Sequence, residues 1–446
     1  MDMNWQQLLC AERLTGRPAK NEPGRSPFLS DHDKIVFSGA FRRLARKTQV
    51  HPLAANDHIH NRMTHSLEVA CVGRTLAIRI GEALRDNGSL PQGILPTDLG
   101  DIVQSTCLAH DIGNPPFGHT GEEAIRNWFA DEGQDYLEGL SDEQQQDLLH
   151  FEGNAQGLRI LTTTEYHQFH GGMRLTYATL AAFIKYPWGS LVNNGALPKP
   201  GKYGIYQADY ASMAEIAGKT GLPKRGENWY CRHPLVYLME AADDFCYGLI
   251  DLEDGLEMGL LRWQDIFDIM RPVFDSSELP RLEQQLAGIS EGRKPGFVRG
   301  KIIDAYISAG VEAFVSNEKA FLAGTVQDDL ISLCDAPIRQ SVEQAKHYAK
   351  QRIFAHPRKV ELEIGAYDVI GRLLGKLIPA AWHWHRHQEI SREKRMLIDL
   401  IGEKNLPANG SQYEVMMAVV DFVSGMTDNY AMYLSRQFGG LGNEGR

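Results

Sequence analysis

Residues 108–125 read LAHDIGNPPFGHTGEEAI, a stretch crowded with groups that bind metals or move protons. Neighbouring helix residues point roughly 100° apart, so His110 and Asp111 converge on one ion only at a helix end, beyond the last turn. Gly113, Pro115 and Pro116 supply that end, because proline cannot continue the hydrogen-bond ladder and glycine tolerates a left-handed cap. Beyond the prolines, Thr120 and Glu123 have capping-box spacing, which assigns Glu123 to structure and leaves His119 and Glu122 for chemistry.

A further histidine stands at the head of another buried stripe. His65, Val69, Val72, Leu76 and Ile80 recur on one helix face, and Val103, Cys107 and His110 share another. One histidine on such a stripe is usually a satisfied core group; two, the second followed by an aspartate, point to a metal. Imidazole nitrogens and carboxylate oxygens without thiolates suit Mn, Fe, Ni, Co or Zn, with Mg admitted where phosphate adds oxygens. The segment EAADDFCYGLIDLED offers a fourth ligand, since Asp243, Tyr247 and Asp251 span about 80° of one helix face.

Together NRMTHSLEVA, LAHDIGNPPFGHTGEEAI and EAADDFCY resemble the dNTP triphosphohydrolase (dGTPase) branch of the HD phosphohydrolase superfamily. The likeness runs from Phe41 to Asp254 and continues more weakly to Leu374. The His-Asp dipeptide alone is unspecific, but the extended HDIGNPPFGHTGE string is not. The resemblance implies an all-helical fold and a reaction in which a dNTP and water give a deoxynucleoside and intact triphosphate, with dGTP and other dNTPs as substrates.

It also implies roles. The metal ligands would be His65, His110, Asp111 and Asp243, with His119 catalytic beside the α-phosphorus and Glu122 orienting it. Arg62 and Asn114 would face phosphate. Gln49, in ARKTQV, would contact the 3′-hydroxyl, while Tyr247 and Asp251 would form the sugar pocket and exclude a 2′-hydroxyl by collision. Lys185 and Tyr186 of FIKYPWGS, with Lys202 of GKYGIYQ, would hold the triphosphate. Arg358 and Tyr367, in FAHPRKVELEIGAYDVI, would reach towards substrate. Relatives are commonly homo-oligomers, often hexamers, and some respond to single-stranded DNA or a dNTP activator. The other readings are an HD phosphohydrolase of 5′-nucleotidase type and a non-catalytic nucleotide- or DNA-binding regulator; the intact ligand set speaks against the latter.

The elements that must position these residues read as helices. One runs over 62–85, a second ends at the HD motif, and a third carries Asp243. Residues 187–232, rich in Gly, Pro and aromatics, predict an irregular insert or small hairpin. The expectation is an all-α chain: a single large helical domain over 1–446, with an HD core at 60–255 and a C-terminal helical region at 256–446.

Composition narrows the class. A net charge of −11 over 446 residues argues against a general nucleic-acid binder. Six scattered cysteines without a CxxC pair argue against a disulfide frame or zinc–thiolate site. The N-terminus lacks a signal-like apolar stretch and no run is long enough to cross a bilayer, so a cytoplasmic protein without a membrane partner is expected.

Overall fold

The computed structural model describes the chain except residues 1, 17, 19–21, 50–57, 167–170, 193–196, 198, 355–356, 387–388 and 441–446 and the side chains of Arg358 and Lys359. Among the described residues the structure is α-helical apart from one two-stranded sheet. No helix in them is long and apolar enough to cross a membrane.

Three helices form the floor of the site: Arg62–Asp86, Pro96–Ala109 and Val236–Glu257. The first is started by a reciprocal cap. The Asn61 side chain accepts from the Met63 and Thr64 amides, and the Thr64 hydroxyl oxygen accepts from the Asn61 amide. The second helix stops at Ala109, with His110 as its C-cap, where the glycine and prolines require it. His110 and Asp111 therefore stand at a helix end, the one place where adjacent side chains converge.

Two local expectations need correction. The helix after the prolines, Gly118–Ala130, starts on Phe117 in the left-handed region (φ 64°), so Thr120 is already inside it and no Thr120–Glu123 capping box forms. The prolines force the chain to re-enter through a tight left-handed turn, and that turn sets the first helical residue. Last, the 187–232 insert contains a helix, Tyr210–Thr220, before its hairpin of Lys224–Gly226 against Trp229–Tyr230.

Buried apolar side chains gather in two clusters. One joins the three floor helices to the helices Lys294–Ser316 and Ala336–Arg352. The other joins the inner face of Gly118–Ala130 (Ala124, Ile125, Trp128, Phe129) and the aromatics Tyr186, Trp188, Tyr203 and Tyr206 to the C-terminal helices Pro357–His385, Gln412–Ser424 and Asp428–Phe438. The candidate site lies where the two clusters meet.

Candidate active site

His65, His110 and Asp111 each bring a ligand atom within 4.8 Å of the others'. The fourth residue of the sequence-derived set joins them: Asp243 Oδ1 is 3.0 Å from His65 Nε2 and 3.6 Å from His110 Nε2. A short contact from His110 Nδ1 to the Cys107 carbonyl, 2.6 Å, requires the proton on Nδ1 and leaves the Nε2 lone pair facing the carboxylates. Two imidazoles and two carboxylates converging from three helices fit a divalent cation by donor chemistry. Burial alone would raise both carboxylates. Instead Arg62, His110 and His65 hold Asp111 down at about 2, and the same two histidines keep Asp243 far below the usual range. Both are anionic, as ligands must be.

Arg62 and Asn114 are engaged with Asp111. Arg62 Nη1 donates to Asp111 Oδ2 and Asn114 Nδ2 to Oδ1, each at 2.5 Å. Both still line the adjoining cavity, but in this structure they orient a carboxylate.

His119 is 83% exposed at the cavity wall, whereas its partner Glu122 is 2% exposed. His119 Nδ1 lies 3.1 Å from Glu122 Oε2, and Glu122 Oε1 accepts from the Gly153 amide at 2.8 Å. A Cβ at Gly153 would fall 2.7 Å from that same oxygen, so only glycine lets the backbone approach this closely. Burial would raise Glu122, but the hydrogen bond and charge of His119, with Lys202 and Arg126, keep it low. The imidazole is thereby held in the tautomer whose Nε2 exchanges a proton with the cavity.

The cavity holds about 690 Å³, a volume suited to a nucleotide. Gln49, Lys185, Tyr186, Lys202 and Tyr247 line it. Gln49 Oε1 is buried without a hydrogen-bond partner among the described residues, which suits a group awaiting a ligand hydroxyl. Lys185 is 3.6 Å from Glu240, and Lys202 donates to Glu152 at 2.9 Å. The Tyr247 ring stacks on Phe354 with centroids 6.0 Å apart. Asp251, one turn beyond Tyr247, is fully buried and is not part of the cavity wall. Two turns beyond Asp243 the helix has carried it away from the opening into the core, and burial with Asp254 and Asp243 nearby raises its carboxyl to about 8. Tyr367 packs against the C-terminal cluster beside Glu123, off the cavity wall, and the Arg358 side chain lies outside the described residues.

Sequence reasoning missed the residues that tie the two clusters together. Buried Asp428 accepts from the Phe117 amide at 3.0 Å and from the Thr48 amide and hydroxyl at 3.0 and 2.5 Å. It thus fixes both the turn before His119 and the segment carrying Gln49. Lys47 is buried and donates to the Asn114 and Ser424 carbonyls. Arg159 grips Asp421 through two nitrogens. None of these pairs has local spacing, so no sequence signal marks them. Lys346, Lys350 and Phe354 on the cavity wall were also missed, although their spacing of four is a readable helical stripe.

Comparisons with known proteins agree in kind. The HD domain family matches residues 62–210. The chain is 49% identical over 442 residues to the deoxyguanosinetriphosphate triphosphohydrolase-like protein of Pseudomonas aeruginosa, covering 98% of this chain and 99% of that one. It is 37% identical to the protein of the same description from Synechocystis, over 98% and 100% of the two chains. Identity to the deoxyguanosinetriphosphate triphosphohydrolase of Salmonella paratyphi A is 29%, over 91% and 92%.

Proposed function

Because this chain belongs to the deoxyguanosinetriphosphate triphosphohydrolase-like family of HD-domain hydrolases, we propose that it cleaves deoxynucleoside triphosphates, dGTP among them, to deoxynucleoside and inorganic triphosphate. The observation that carries this reading is the juxtaposition, across one cavity, of the His65–His110–Asp111–Asp243 group with the His119–Glu122 pair, beneath Lys185, Tyr186 and Lys202.

Each residue has a task the geometry supports. His65, His110, Asp111 and Asp243 would hold a divalent ion, Mn or Mg among the candidates, which would supply Lewis acidity towards the α-phosphate. Arg62 and Asn114 keep Asp111 aimed. His119, oriented by Glu122, would exchange a proton with the attacking water or the departing 5′-oxygen at the α-phosphate. Lys185, Tyr186 and Lys202 neutralise the phosphate tail. Tyr247, braced by Phe354, forms the floor under the deoxyribose and Gln49 receives the 3′-hydroxyl.

The test is incubation of the purified protein with each dNTP and with GTP in Mn or Mg, with products separated by ion exchange. Triphosphate plus deoxynucleoside, with GTP untouched, is the expected result. Release of pyrophosphate or monophosphate would retire this reading in favour of another bond.

A further inference from the structure

The insert begins directly after Lys185 and Tyr186, and its hairpin is stitched back to that stretch. The Tyr230 amide donates to the Pro187 carbonyl at 2.9 Å, the Gly189 amide donates to the Asn228 carbonyl at 3.1 Å, and Trp188 forms a β-bridge with Trp229. Two residues past the hairpin, Arg232 turns inward onto the helix Val236–Glu257. Its Nη2 donates to Glu240 Oε2, and its guanidinium carbon lies 4.1 Å from the Tyr237 ring centroid. Arg232 is 6% and Glu240 3% exposed, and neither lines the cavity.

Glu240 is shared between two cations. Its Oε2 accepts from Arg232, and its Oε1 lies 3.6 Å from Lys185 Nζ. Burial would raise Glu240, but Arg232 first and Lys185 second hold it below its ordinary value, so it is anionic. An anionic Glu240 facing Lys185 alone would cancel the charge that a phosphate tail needs. With Arg232 on the other oxygen, the three side chains sum to one positive charge, and of the three only Lys185 lines the cavity. The second lysine proposed for the phosphate tail has no such surplus. Lys202 and Arg126 face Glu152 and Glu122, and Arg126 is divided between those two carboxylates.

We propose that Arg232 is a positioning residue for phosphate binding: by engaging and offsetting Glu240, it leaves the Lys185 ammonium free to turn its charge to the substrate. Arg232 does not touch the substrate and acts only through Glu240 on Lys185. A guanidinium suits the place, because it stays charged when buried and its planar face rests on an aromatic ring. The inference rests on the nucleotide reading given above. It also gives the hairpin, which none of the catalytic motifs includes, a part in charging the phosphate end of the cavity.

The experiment measures binding of inorganic tripolyphosphate by calorimetry, with deoxyguanosine binding and melting temperature as controls. It compares the wild type with Arg232→Gln, Arg232→Lys and the double variant Arg232→Gln/Glu240→Gln. Arg232→Gln keeps a hydrogen bond to Glu240 but loses the charge, so tripolyphosphate should weaken by about tenfold while deoxyguanosine binding stays within about twofold. Arg232→Lys keeps the charge and should stay within about threefold of the wild type. The double variant also removes the carboxylate that cancels Lys185, so its affinity should return to within about threefold of the wild type. Because it loses a matched pair of charges, the double variant remains decisive if the single one does not fold. Were Arg232 only a structural prop, changing Glu240 as well would add damage instead of restoring binding. Unchanged tripolyphosphate binding in folded Arg232→Gln overturns the proposal, as does a double variant as weak as the single one. A wild type that binds no tripolyphosphate overturns it too. One that binds tripolyphosphate yet releases no triphosphate from any dNTP overturns the catalytic reading and leaves Arg232 in its role.

Discussion

The two apolar clusters contribute unlike halves of the site. The metal-ligand half rests on helices Arg62–Asp86, Pro96–Ala109 and Val236–Glu257, which pack directly on one another in the first cluster. The His119–Glu122 half rides on a helix whose apolar face is covered by Pro357–His385 and whose first turn is held by Asp428, more than 300 residues away. Ligand geometry is thus secured by its own core, whereas the proton-transferring pair depends on how the C-terminal helices dock. The halves should be separable by mutation.

The largest effect should come from the first half. His110→Ala removes one imidazole donor, and elemental analysis should find the metal gone and turnover at background while circular dichroism stays helical. A variant that kept its turnover would sink the ligand assignment. In the second half, His119→Ala should lower kcat by about 10²- to 10⁴-fold with metal content and KM little changed, because the lost group acts on the transition state. Loss of metal in that variant would show the halves to be coupled.

The tie between them should give an intermediate effect. Asp428→Asn leaves one carbonyl oxygen to serve three donors, so stability should drop by about 1–3 kcal/mol in denaturant titration. Turnover should fall with it while metal content holds. If kcat were untouched despite that destabilisation, the docked C-terminal helices would not be positioning His119.

The smallest effect tests the buried end of the Asp243 helix. Asp251 is raised to about 8, so the folded state favours its protonated form. Ionising it costs stability increasingly from its unfolded value near 4 up to about pH 8, and the cost is constant above that. In metal-free protein, Asp251→Asn should therefore raise the melting temperature most above pH 8 and hardly at all near pH 4. A parallel pair of melting curves would place the titration elsewhere.

Much of the first half was legible because its signals are local. A histidine at the head of an apolar stripe, a helix-ending HDIGNPP and two acids in one helix face can be read as periodicity and chain-breaking chemistry, and the structure brings those side chains together. The capping box at Thr120 failed because a left-handed turn at Phe117 reset the start of the helix. Asp251 was placed at the sugar by the resemblance alone, and the structure buries it fully.

By itself the sequence determined the helical class and the ends of the first two floor helices, since each depends on residue type and on spacing within a few turns. Tertiary structure alone decided that Asp428 and Lys47 clamp the turn before His119, that Arg62 and Asn114 attend Asp111, and that Lys346 and Lys350 face the cavity. Those contacts join segments far apart in the chain, and their partners are chosen by the packing of whole helices, a property no local pattern encodes.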